Sequence, residues 1–424
     1  MHDAFYEAET LSDPFEYFAK AREEEPVRRT VDPVGREIYI VTSASAVSDV
    51  ARRMDDFSSQ FSHLLMAGNA HPEVEEILKQ EELGTGLLLS TDDPDHKRFR
   101  AQVNAAFATG RVANMAPDIE VLVDELIDGF IEKGHCNFTD EFAVLLPTYI
   151  IADILGLPRE DYGRVKEWSD AIIGLVGRMG TKESEIAAAE LIVKTRRYIK
   201  DMVAARRREP RDDLVSNLIH VDVEGVTPLT DLEVGALAFE TSVAGNETTR
   251  NTLMSGMVQL IRHPDQMQAL IDDPSLTGNA VEEMLRYETP ASSMWRIARH
   301  DTTLEGVDLP AGAVLLLRYD AASRDPAIFQ NPEEFNIFRK NANRHFAFGA
   351  PSPHRCLGQM LARKELNIAL PKILSRMKNI RIAEGSQTDY MPALLFHVIG
   401  HLNLEFDPGP KVGARLEGLV KARK

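Results

Sequence analysis

The stretch from His345 to Leu366 reads HFAFGAPSPHRCLGQMLARKEL and contains Cys356, one of two cysteines in 424 residues. A Phe-Gly pair and a proline-rich turn precede the cysteine, and a helical pattern of apolar residues follows it. The thiol therefore lies near a helix N-terminus, where free N–H groups and peptide dipoles favour the thiolate. A thiolate held in this way is a ligand for a soft or redox-active metal, most commonly haem iron in such a loop. Taken alone, however, Cys356 would more often be a buried core thiol.

The bulk composition excludes several classes of protein. With 44% hydrophobic and 27% charged residues, the chain is typical of soluble globular proteins. No linker, repeat or low-complexity stretch divides it, which predicts one domain over residues 1–424, with peripheral tails at about 1–14 and 407–424. The net charge of −18 argues against binding to nucleic acid or to anionic membranes. Without a signal peptide, a long apolar run or a disulfide framework, we expect a cytoplasmic monomer with no membrane span.

Helical periodicity covers most of the chain, whereas β-prone runs are short and scattered. This pattern predicts a mostly α fold with small peripheral β-sheets. Helices are predicted at 111–133, 142–156, 160–178, 183–208, 231–262, 279–288 and 357–378, and strands at 37–41, 295–299, 313–318 and 394–406. The segment 58–92 is predicted to be a long loop carrying a short helix, which is typical of a binding element or lid.

The longest predicted helix, 231–262, should be central to the fold. Thr230 and Glu233 have capping-box spacing at its start, and Pro264 follows its end. At 1.5 Å per residue it would be about 48 Å long, enough to cross a domain. Its middle, however, holds a glycine and a polar cluster from Ala244 to Thr249. A solvated stripe would explain this cluster, but the apolar residues on both sides favour a functional site.

Three further clusters place charge in unusual surroundings. Glu283 and Arg286 lie at i and i+3 on one helix face, although such pairs are often surface salt bridges. Arg296 lies in a β-prone apolar run, which suggests an anionic partner. His96 and Arg100 share a helix face, and a solvated basic surface is the alternative explanation.

In this order and spacing, the motifs resemble the cytochrome P450 superfamily of haem-thiolate monooxygenases. The resemblance covers about residues 15 to 406 and depends on five motifs: DDPDHKRFR, AGNETTRN, EEMLR, RDPAIFQNPEEF with the following Arg339, and the cysteine loop. It implies a single-domain fold with a long central helix, a haem b cofactor (iron protoporphyrin IX) and an oxygen-dependent reaction. The implied substrate is a hydrophobic small molecule such as a terpenoid, sterol, branched lipid or aromatic compound.

The resemblance also implies roles for single residues. Cys356 would be the proximal iron ligand, with the N–H groups of Leu357 and Gly358 hydrogen-bonded to its sulfur. Four basic side chains would hold the two haem propionates: His96, Arg100, Arg296 and His354. Three residues would form a buried structural ion pair that locks the cysteine loop: Glu283, Arg286 and Arg339.

On the distal side of the haem, Ala244 and Gly245 would border the cofactor. Gly245 and Thr248 would open a groove in the helix where oxygen binds. Glu247 and Thr248 would form the acid–alcohol pair that delivers protons during oxygen activation. This pair distinguishes a monooxygenase from two rivals that have no use for it, a peroxide-driven peroxygenase or isomerase and a haem sensor or carrier without turnover. A haem-free helical scaffold is the third alternative.

The cysteine loop departs from the family pattern in length and in composition. Phe348 lies eight residues before Cys356 rather than seven, and Ser352 stands where the family usually has glycine. Pro351 and Pro353 stiffen the loop and remove two N–H donors. We expect thiolate ligation to survive, whereas the packing of Phe348 and the reduction potential are open.

The substrate pocket is expected to be mostly apolar. Its predicted walls are the segments 58–92 and 168–185 together with Glu240, Ala244, Met294, Leu394, Leu395 and Phe396. Glu240 shares a helix face with Ala244, so its carboxylate either anchors a polar group of the substrate or points towards neighbouring helices.

Electrons must come from separate proteins, because the chain has no flavin or iron–sulfur segment. The resemblance implies a ferredoxin and a ferredoxin reductase. Five basic residues are expected to form a docking patch on the cysteine side, or else scattered surface charge: Lys97, Arg98, Arg355, Arg363 and Lys364. The second cysteine, Cys136, lacks further ligands at zinc-like spacing and is expected to be a core thiol.

Overall fold

The computed structural model describes residues 3–66, 71–82, 86–104, 114–177 and 181–413. Helices predominate in this part of the chain, as the periodicity predicts. They are α1 (Ala8–Ser12), α2 (Phe15–Glu24), α3 (Ala44–Arg52), α4 (Ser62–Met66), α5 (Pro72–Leu78), α6 (Asp95–Asn104), α7 (Ala116–Asp128), α8 (Leu145–Leu155), α9 (Tyr162–Gly177), α10 (Lys182–Arg208), α11 (Leu214–His220), α12 (Asp231–Arg262), α13 (Pro264–Asp272), α14 (Thr277–Glu288), α15 (Tyr319–Ser323) and α16 (Gln359–Arg376).

Four small sheets lie among the helices. Their strands are β1 (Val27–Val31), β2 (Glu37–Val41), β3 (Phe57–Ser58), β4 (His135–Asn137), β5 (Ser293–Ala298), β6 (Thr302–Leu304), β7 (Val307–Leu309), β8 (Val314–Arg318), β9 (Lys378–Ile382), β10 (Gln387–Tyr390), β11 (Ile399–His401) and β12 (Asn403–Asp407). The largest sheet has the order β1-β2-β8-β5-β3, in which only β2 and β8 are parallel. The mostly α fold with small sheets is therefore confirmed.

The predicted strand at 394–406 is only partly correct. Strands form at Ile399–His401 and Asn403–Asp407, whereas before them Phe396 makes an isolated β-bridge to Ala291. At Leu394 the carbonyl accepts hydrogen bonds from Nη1 of Arg318 at 2.7 Å and from the hydroxyl of Ser293 at 2.9 Å. A single bridge and side-chain donors thus satisfy this segment, because a backbone carbonyl in a partly buried segment must find a partner.

The N-terminal segment also differs from the prediction of a peripheral tail. Phe5 is fully buried in a cluster with Phe18, and the guanidinium of Arg318 lies 5.1 Å from the Phe5 ring centroid. This segment therefore contributes to the core. At the other end of the chain, residues 414–424 lie outside the described residues.

Helix α12 begins and ends where the sequence predicts. Its capping box is complete, since the Thr230 hydroxyl accepts the Glu233 N–H and the Glu233 carboxylate accepts the Thr230 N–H. Its flanks are buried, and it packs against α8, α9 and α10. A Cβ atom at Gly245 would lie 2.4 Å from Cδ1 of Ile151 on α8, closer than real contacts allow unless that side chain moves. Glycine therefore lets the two helices pack at this point without displacing Ile151.

A buried charge cluster fixes the chain between α15 and the cysteine loop. Glu283, on α14, accepts a hydrogen bond from Nε of Arg286 at 2.7 Å and one from Nε of Arg339 at 3.1 Å. The remaining guanidinium N–H groups donate to backbone carbonyls of Ser323 and of residues in the range 330–334. All three side chains are buried, so each charge depends on these partners for its solvation.

We predict that Glu283→Gln lowers the free energy of unfolding by about 3–5 kcal/mol, because it leaves two buried guanidinium groups without a counter-charge. Urea unfolding of the haem-loaded protein is the measurement. Glu405→Gln is the control, since Glu405 pairs with Arg381 at 2.9 Å on the surface and should change stability by only about 0–1 kcal/mol. Equal effects of the two variants would contradict the structural role of the cluster.

Candidate functional site

Cys356 lies deep in the protein, yet the residue is exposed rather than packed against its neighbours. Its exposed side therefore faces an internal space. Burial raises the pKa of the Cys356 thiol, and the N–H groups of Gly358 and Gln359 together with the charges of Arg100 and Arg363 oppose that rise. The prediction that Leu357 and Gly358 supply the N–H donors is therefore half correct: the second donor is Gln359, at the first position of α16, rather than Leu357.

The extra residue of the cysteine loop is accommodated at its outer edge. Pro351 and Pro353 are exposed, whereas Phe348 is buried in the main core. The N–H of Cys356 donates to the carbonyl of Phe348 at 3.0 Å, which joins the two ends of the loop directly. The longer connection thus bulges towards solvent, and the question about Phe348 is answered: its ring packs inside, 4.4 Å from the guanidinium carbon of Arg363.

Glu282 is the residue that contacts both ends of the cysteine loop. Its carboxylate accepts from Nε2 of His345, before the loop, at 3.1 Å, and from Nη2 of Arg363, after the loop, at 3.0 Å. The Glu283 cluster contacts the segment before the cysteine loop, so the predicted locking of the loop by this cluster would act through that segment. The sequence does not show which of the two adjacent glutamates reaches the loop, because the partners that distinguish them, His345 for Glu282 and Arg339 for Glu283, lie more than 50 residues away.

The protonation states of this group follow from its hydrogen bonds. Burial lowers the pKa of His345, so the neutral imidazole donates from Nε2, while its Nδ1 accepts the N–H of Ala347 at 3.1 Å. Burial alone would raise the pKa of Glu282, but hydrogen bonds from His345 and Arg363 and the charge of Arg363 lower it to about 2. The carboxylate is therefore ionised throughout the physiological range.

Four predicted basic residues meet at a second wall of the site. The rings of His96, on α6, and His354, in the cysteine loop, stack with centroids 3.8 Å apart. Burial and the charges of Arg296, His96 and Arg100 lower the pKa of His354 to about 3. Arg100 is in turn close enough to Cys356 for the two charges to interact. The structure thus brings His96, Arg100, Arg296 and His354 together beside the cysteine.

This basic cluster lacks the anions that would balance it. Both imidazole nitrogens of His96 and Nε2 of His354 are buried without a hydrogen-bond partner among the described residues. The Asp93 carboxylate lies 3.8 Å from Nδ1 of His96, too far for a hydrogen bond. Buried polar atoms without partners usually mark the place of a ligand or water. A group with two carboxylates would satisfy this cluster.

The middle of α12 opens onto an internal space. Ala244 is exposed although both flanks of its helix are buried, and Glu240 and Thr248, one turn away on either side, are partly exposed. Gly245 does not open this groove, contrary to the prediction, because its missing side chain faces Ile151 of α8. The opening comes from the small side chain of Ala244 instead.

Glu247 and Thr248 point in different directions. Glu247 is buried and pairs with Nη1 of Arg250 at 3.1 Å. Burial raises its pKa; Arg250 opposes the rise, and its other charged neighbours are Asp170 and Lys166 on α9. The hydroxyl of Thr248 lies 3.4 Å from the carbonyl of Ala244, a weak contact that leaves it available on the open face. Acid and alcohol are therefore adjacent in sequence without a direct hydrogen bond.

The remaining predicted pocket residues fall into two groups. Met294, on β5, and Leu394–Phe396 are partly buried and adjacent, since the Ser292 N–H donates to the carbonyl of Leu395 at 3.0 Å. Glu240, by contrast, uses both carboxylate oxygens on the backbone N–H groups of Leu87 and Leu88. Within the predicted pocket segments 58–92 and 168–185, residues 67–70, 83–85 and 178–180 lie outside the described residues.

Comparison with known proteins identifies the family. A family model described as Cytochrome P450 matches residues 150–396. The chain belongs to the cytochrome P450 family. It is 34% identical over 389 residues to a steroid C26-monooxygenase of Mycobacterium tuberculosis (strain CDC 1551 / Oshkosh), with 91% of this chain and 100% of the relative covered.

Solved cytochrome P450 structures share the fold over nearly the whole chain. Cytochrome P450 CREJ, in complex with (4-ethylphenyl) dihydrogen phosphate, superposes with a TM-score of 0.86 at 27% identity and covers 94% of this chain and 98% of that one. CYP109E1 from Bacillus megaterium, in complex with corticosterone, superposes with a TM-score of 0.80 at 27% identity and covers 94% and 99%.

The protein is accordingly a haem-thiolate monooxygenase, and its residues fit the cofactor. An open thiol beside four basic residues, of which the two histidines have buried nitrogens without partners among the described residues, matches the needs of an iron porphyrin that carries two carboxylates. The family uses molecular oxygen, a substrate and redox partners. In the part of the chain that the structure describes, no helix is long and apolar enough to cross a membrane.

Two smaller predictions concern residues near the cysteine side and the core. Arg98 pairs with Glu233, and Arg363 pairs with Glu282, so these two arginines do not belong to a free basic patch. The other predicted members are Lys97, Arg355 and Lys364. Cys136, on β4, is buried and burial raises its pKa to about 12, as expected for a core thiol.

We predict that Glu282→Gln lowers the free energy of unfolding at pH 7 by about 1–3 kcal/mol, because a charged hydrogen-bond acceptor is lost. Since the pKa of Glu282 is lowered from 4.5 to about 2, its contribution is complete above pH 4.5 and disappears as the pH falls towards 2. Urea titrations between pH 7 and pH 3.5 should show the two proteins converging. Glu384→Gln, an exposed change, should follow the wild type, and a pH-independent difference for Glu282→Gln would contradict the mechanism.

Proposed function

We propose that this monooxygenase hydroxylates a hydrophobic small molecule of the steroid class, with electrons from a ferredoxin and its reductase. The observation that supports it most directly is the pairing of an open Cys356 thiol, flanked by unsatisfied bases, with a central helix opened at Ala244. Cys356 would ligate the iron, and His96, Arg100, Arg296 and His354 would bind the propionates.

When bound, the haem supplies the iron at which oxygen is reduced and one oxygen atom is inserted into a C–H bond of the substrate. The protein residues then have three tasks. The bases beside Cys356 orient the cofactor, Ala244 leaves room above it, and Thr248 presents a hydroxyl on the open face of α12. That hydroxyl would donate a hydrogen bond into the space in front of α12, where oxygen reacts, and would receive a proton in turn from a group on the protein side.

Glu247 is placed to supply those protons from the surface. It lies between the open face of α12 and the pair formed by Lys166 and Asp170 on α9, which are 2.6 Å apart and partly exposed. Its raised pKa makes it easier to protonate than an exposed glutamate. Because Glu247 and Thr248 do not touch, we infer that a water molecule carries the proton between them.

The substrate class is inferred from the relatives and from the pocket walls. The named relatives act on steroids at C26, and one structural neighbour was solved with corticosterone. Met294 and Leu394–Phe396 offer an apolar wall, as a steroid requires. The CREJ complex holds an alkylphenyl phosphate in the same fold, so the fold alone does not select the substrate.

A peroxide-driven peroxygenase is the second candidate within the family. A buried acid with a raised pKa next to a threonine on the open helix face favours the monooxygenase, because peroxide already carries the protons that this pair would deliver. The measured dependence on a ferredoxin system distinguishes the two candidates.

We predict that Thr248→Ala keeps haem and substrate binding but diverts electrons from product to hydrogen peroxide. The loss of one proton-transfer group should lower the product formed per electron pair by about tenfold or more. NADPH consumption, peroxide and product are measured with a surrogate ferredoxin and reductase. Ser255→Ala is the control, because its hydroxyl also bonds back to a carbonyl of α12, that of Asn251, at 2.7 Å. Unchanged coupling in Thr248→Ala would refute the assigned role.

We also predict that the purified ferric protein binds steroids more tightly than other hydrophobic ligands. Titration with corticosterone, palmitic acid and 4-ethylphenyl phosphate, followed by the Soret band shift that accompanies loss of water from the iron, measures this preference. The steroid should bind at least about tenfold more tightly than the other two, since it is the ligand of the proposed substrate class. Preference for the fatty acid or the phosphate ester would redirect the substrate assignment.

A further inference from the structure

Glu240 makes an unusual set of contacts for a residue on the open face of α12. Its Oε2 accepts the N–H of Leu88 at 3.1 Å, and its Oε1 accepts the N–H of Leu87. No lysine, arginine or histidine is paired with it among the described residues. The Glu240 carboxylate thus lies deep in the protein and is hydrogen-bonded to backbone N–H groups of a short turn, residues 86–90, instead of to a charged side chain.

The same turn is tied to the cysteine loop on its other side. The carbonyl of Leu88 contacts Nδ1 of His354 at 3.2 Å, which makes Nδ1 the donor. Ser90 closes the turn through its N–H and its hydroxyl, both of which donate to the carbonyl of Gly86. The turn therefore connects the distal helix to the cofactor-binding cluster and leads into α6, which carries His96 and Arg100.

We propose that Glu240 is a positioning residue that holds the 86–90 turn against α12 and thereby sets the shape of the substrate pocket. Leu87 and Leu88 are partly exposed and pack against the main core. Two hydrogen bonds to Glu240 hold their backbone against α12. This assignment differs from a substrate anchor, because both carboxylate oxygens are already used by the protein.

Protonation of Glu240 should affect its contact with the 86–90 turn. Burial raises the pKa of Glu240 to about 7, against the lowering effect of the N–H groups of Leu88, Leu87 and Gly86. Those N–H groups face the carboxylate, no charged side chain among the described residues acts on it, and His354 bonds to the turn on its other side through the carbonyl of Leu88. When the turn opens and water reaches Glu240, the pKa falls towards its ordinary value of 4.5.

The sign of the pH dependence follows by linkage. Closing the turn raises the pKa, so the closed state binds more protons than the open one. The contribution of Glu240 to closure is complete below pH 4.5 and is lost as the pH rises to about 7. A neutral glutamine cannot show this dependence.

Hydrogen–deuterium exchange of the haem-loaded protein tests the proposal without reference to turnover. Protection factors are measured for peptides containing residues 86–90 at pH 5.5 and pH 8, in the wild type, Glu240→Leu and Glu240→Gln. In the leucine variant the Leu87 and Leu88 amides should exchange at least about tenfold faster, because both acceptors are gone. In the glutamine variant protection should be intermediate and independent of pH. Glu224→Gln, an exposed change, is the matched control and should behave as the wild type.

Ligand binding supplies the second readout. Imidazole is small and should bind the ferric haem of Glu240→Leu as it binds the wild type at pH 7.5. Clotrimazole, which fills the pocket, should change its affinity at least about fivefold in the same variant. Thermal unfolding shows whether Glu240→Leu is folded. If it is not, the same ligand titrations are made with Glu240→Gln.

Each possible result either supports the proposal or contradicts it. Loss of protection at residues 86–90 together with altered clotrimazole binding supports the proposal. Unchanged protection in both variants, a wild-type pH dependence in Glu240→Gln, or unchanged clotrimazole binding despite lost protection would each overturn it. Failure of the steroid assignment would leave these measurements unaffected, because neither probe is the substrate.

Discussion

The contact between Glu282 and the two ends of the cysteine loop is the constraint on which the site depends. A thiolate can serve as a fixed ligand only when the backbone around it is held in one conformation. Glu282 provides this by binding His345 and Arg363 at once, while the N–H of Cys356 is fixed on Phe348. The loop can therefore be longer and richer in proline at its exposed edge without moving the sulfur.

Helix α14 organises two charge networks from adjacent residues. Successive residues of an α-helix point about 100° apart, so Glu282 and Glu283 serve different neighbours. One reaches the cysteine loop, and the other gathers Arg286 and Arg339 and, through them, the carbonyls of the segment before that loop. Burying these charges is tolerated because each is hydrogen-bonded, the two guanidinium groups sharing the Glu283 carboxylate and donating their other N–H groups to backbone carbonyls.

The sequence predicts those features that depend on neighbours in the chain. The ends of α12 follow from the capping box at Thr230 and from Pro264, and the set of basic residues that would bind the propionates follows from the family resemblance. Contacts between distant residues were not predictable. Nothing near Gly245 indicates that Ile151 lies 2.4 Å from its missing Cβ, and nothing near Glu240 points to Leu87 and Leu88. Gly245 is predicted to open the groove and Glu240 either to anchor substrate or to face neighbouring helices, but the partner of each belongs to another segment of the protein.

The unbalanced basic cluster has a consequence for how the protein is made. Burial lowers the pKa of His96 and of His354, which favours neutral imidazoles beside the charges of Arg100 and Arg296, and three of the imidazole nitrogens have no hydrogen-bond partner among the described residues. Carboxylates that reach this cluster would supply both the counter-charge and the missing partners, so binding of the porphyrin should stabilise the fold. We therefore expect more of the polypeptide to mature when haem is available during its synthesis.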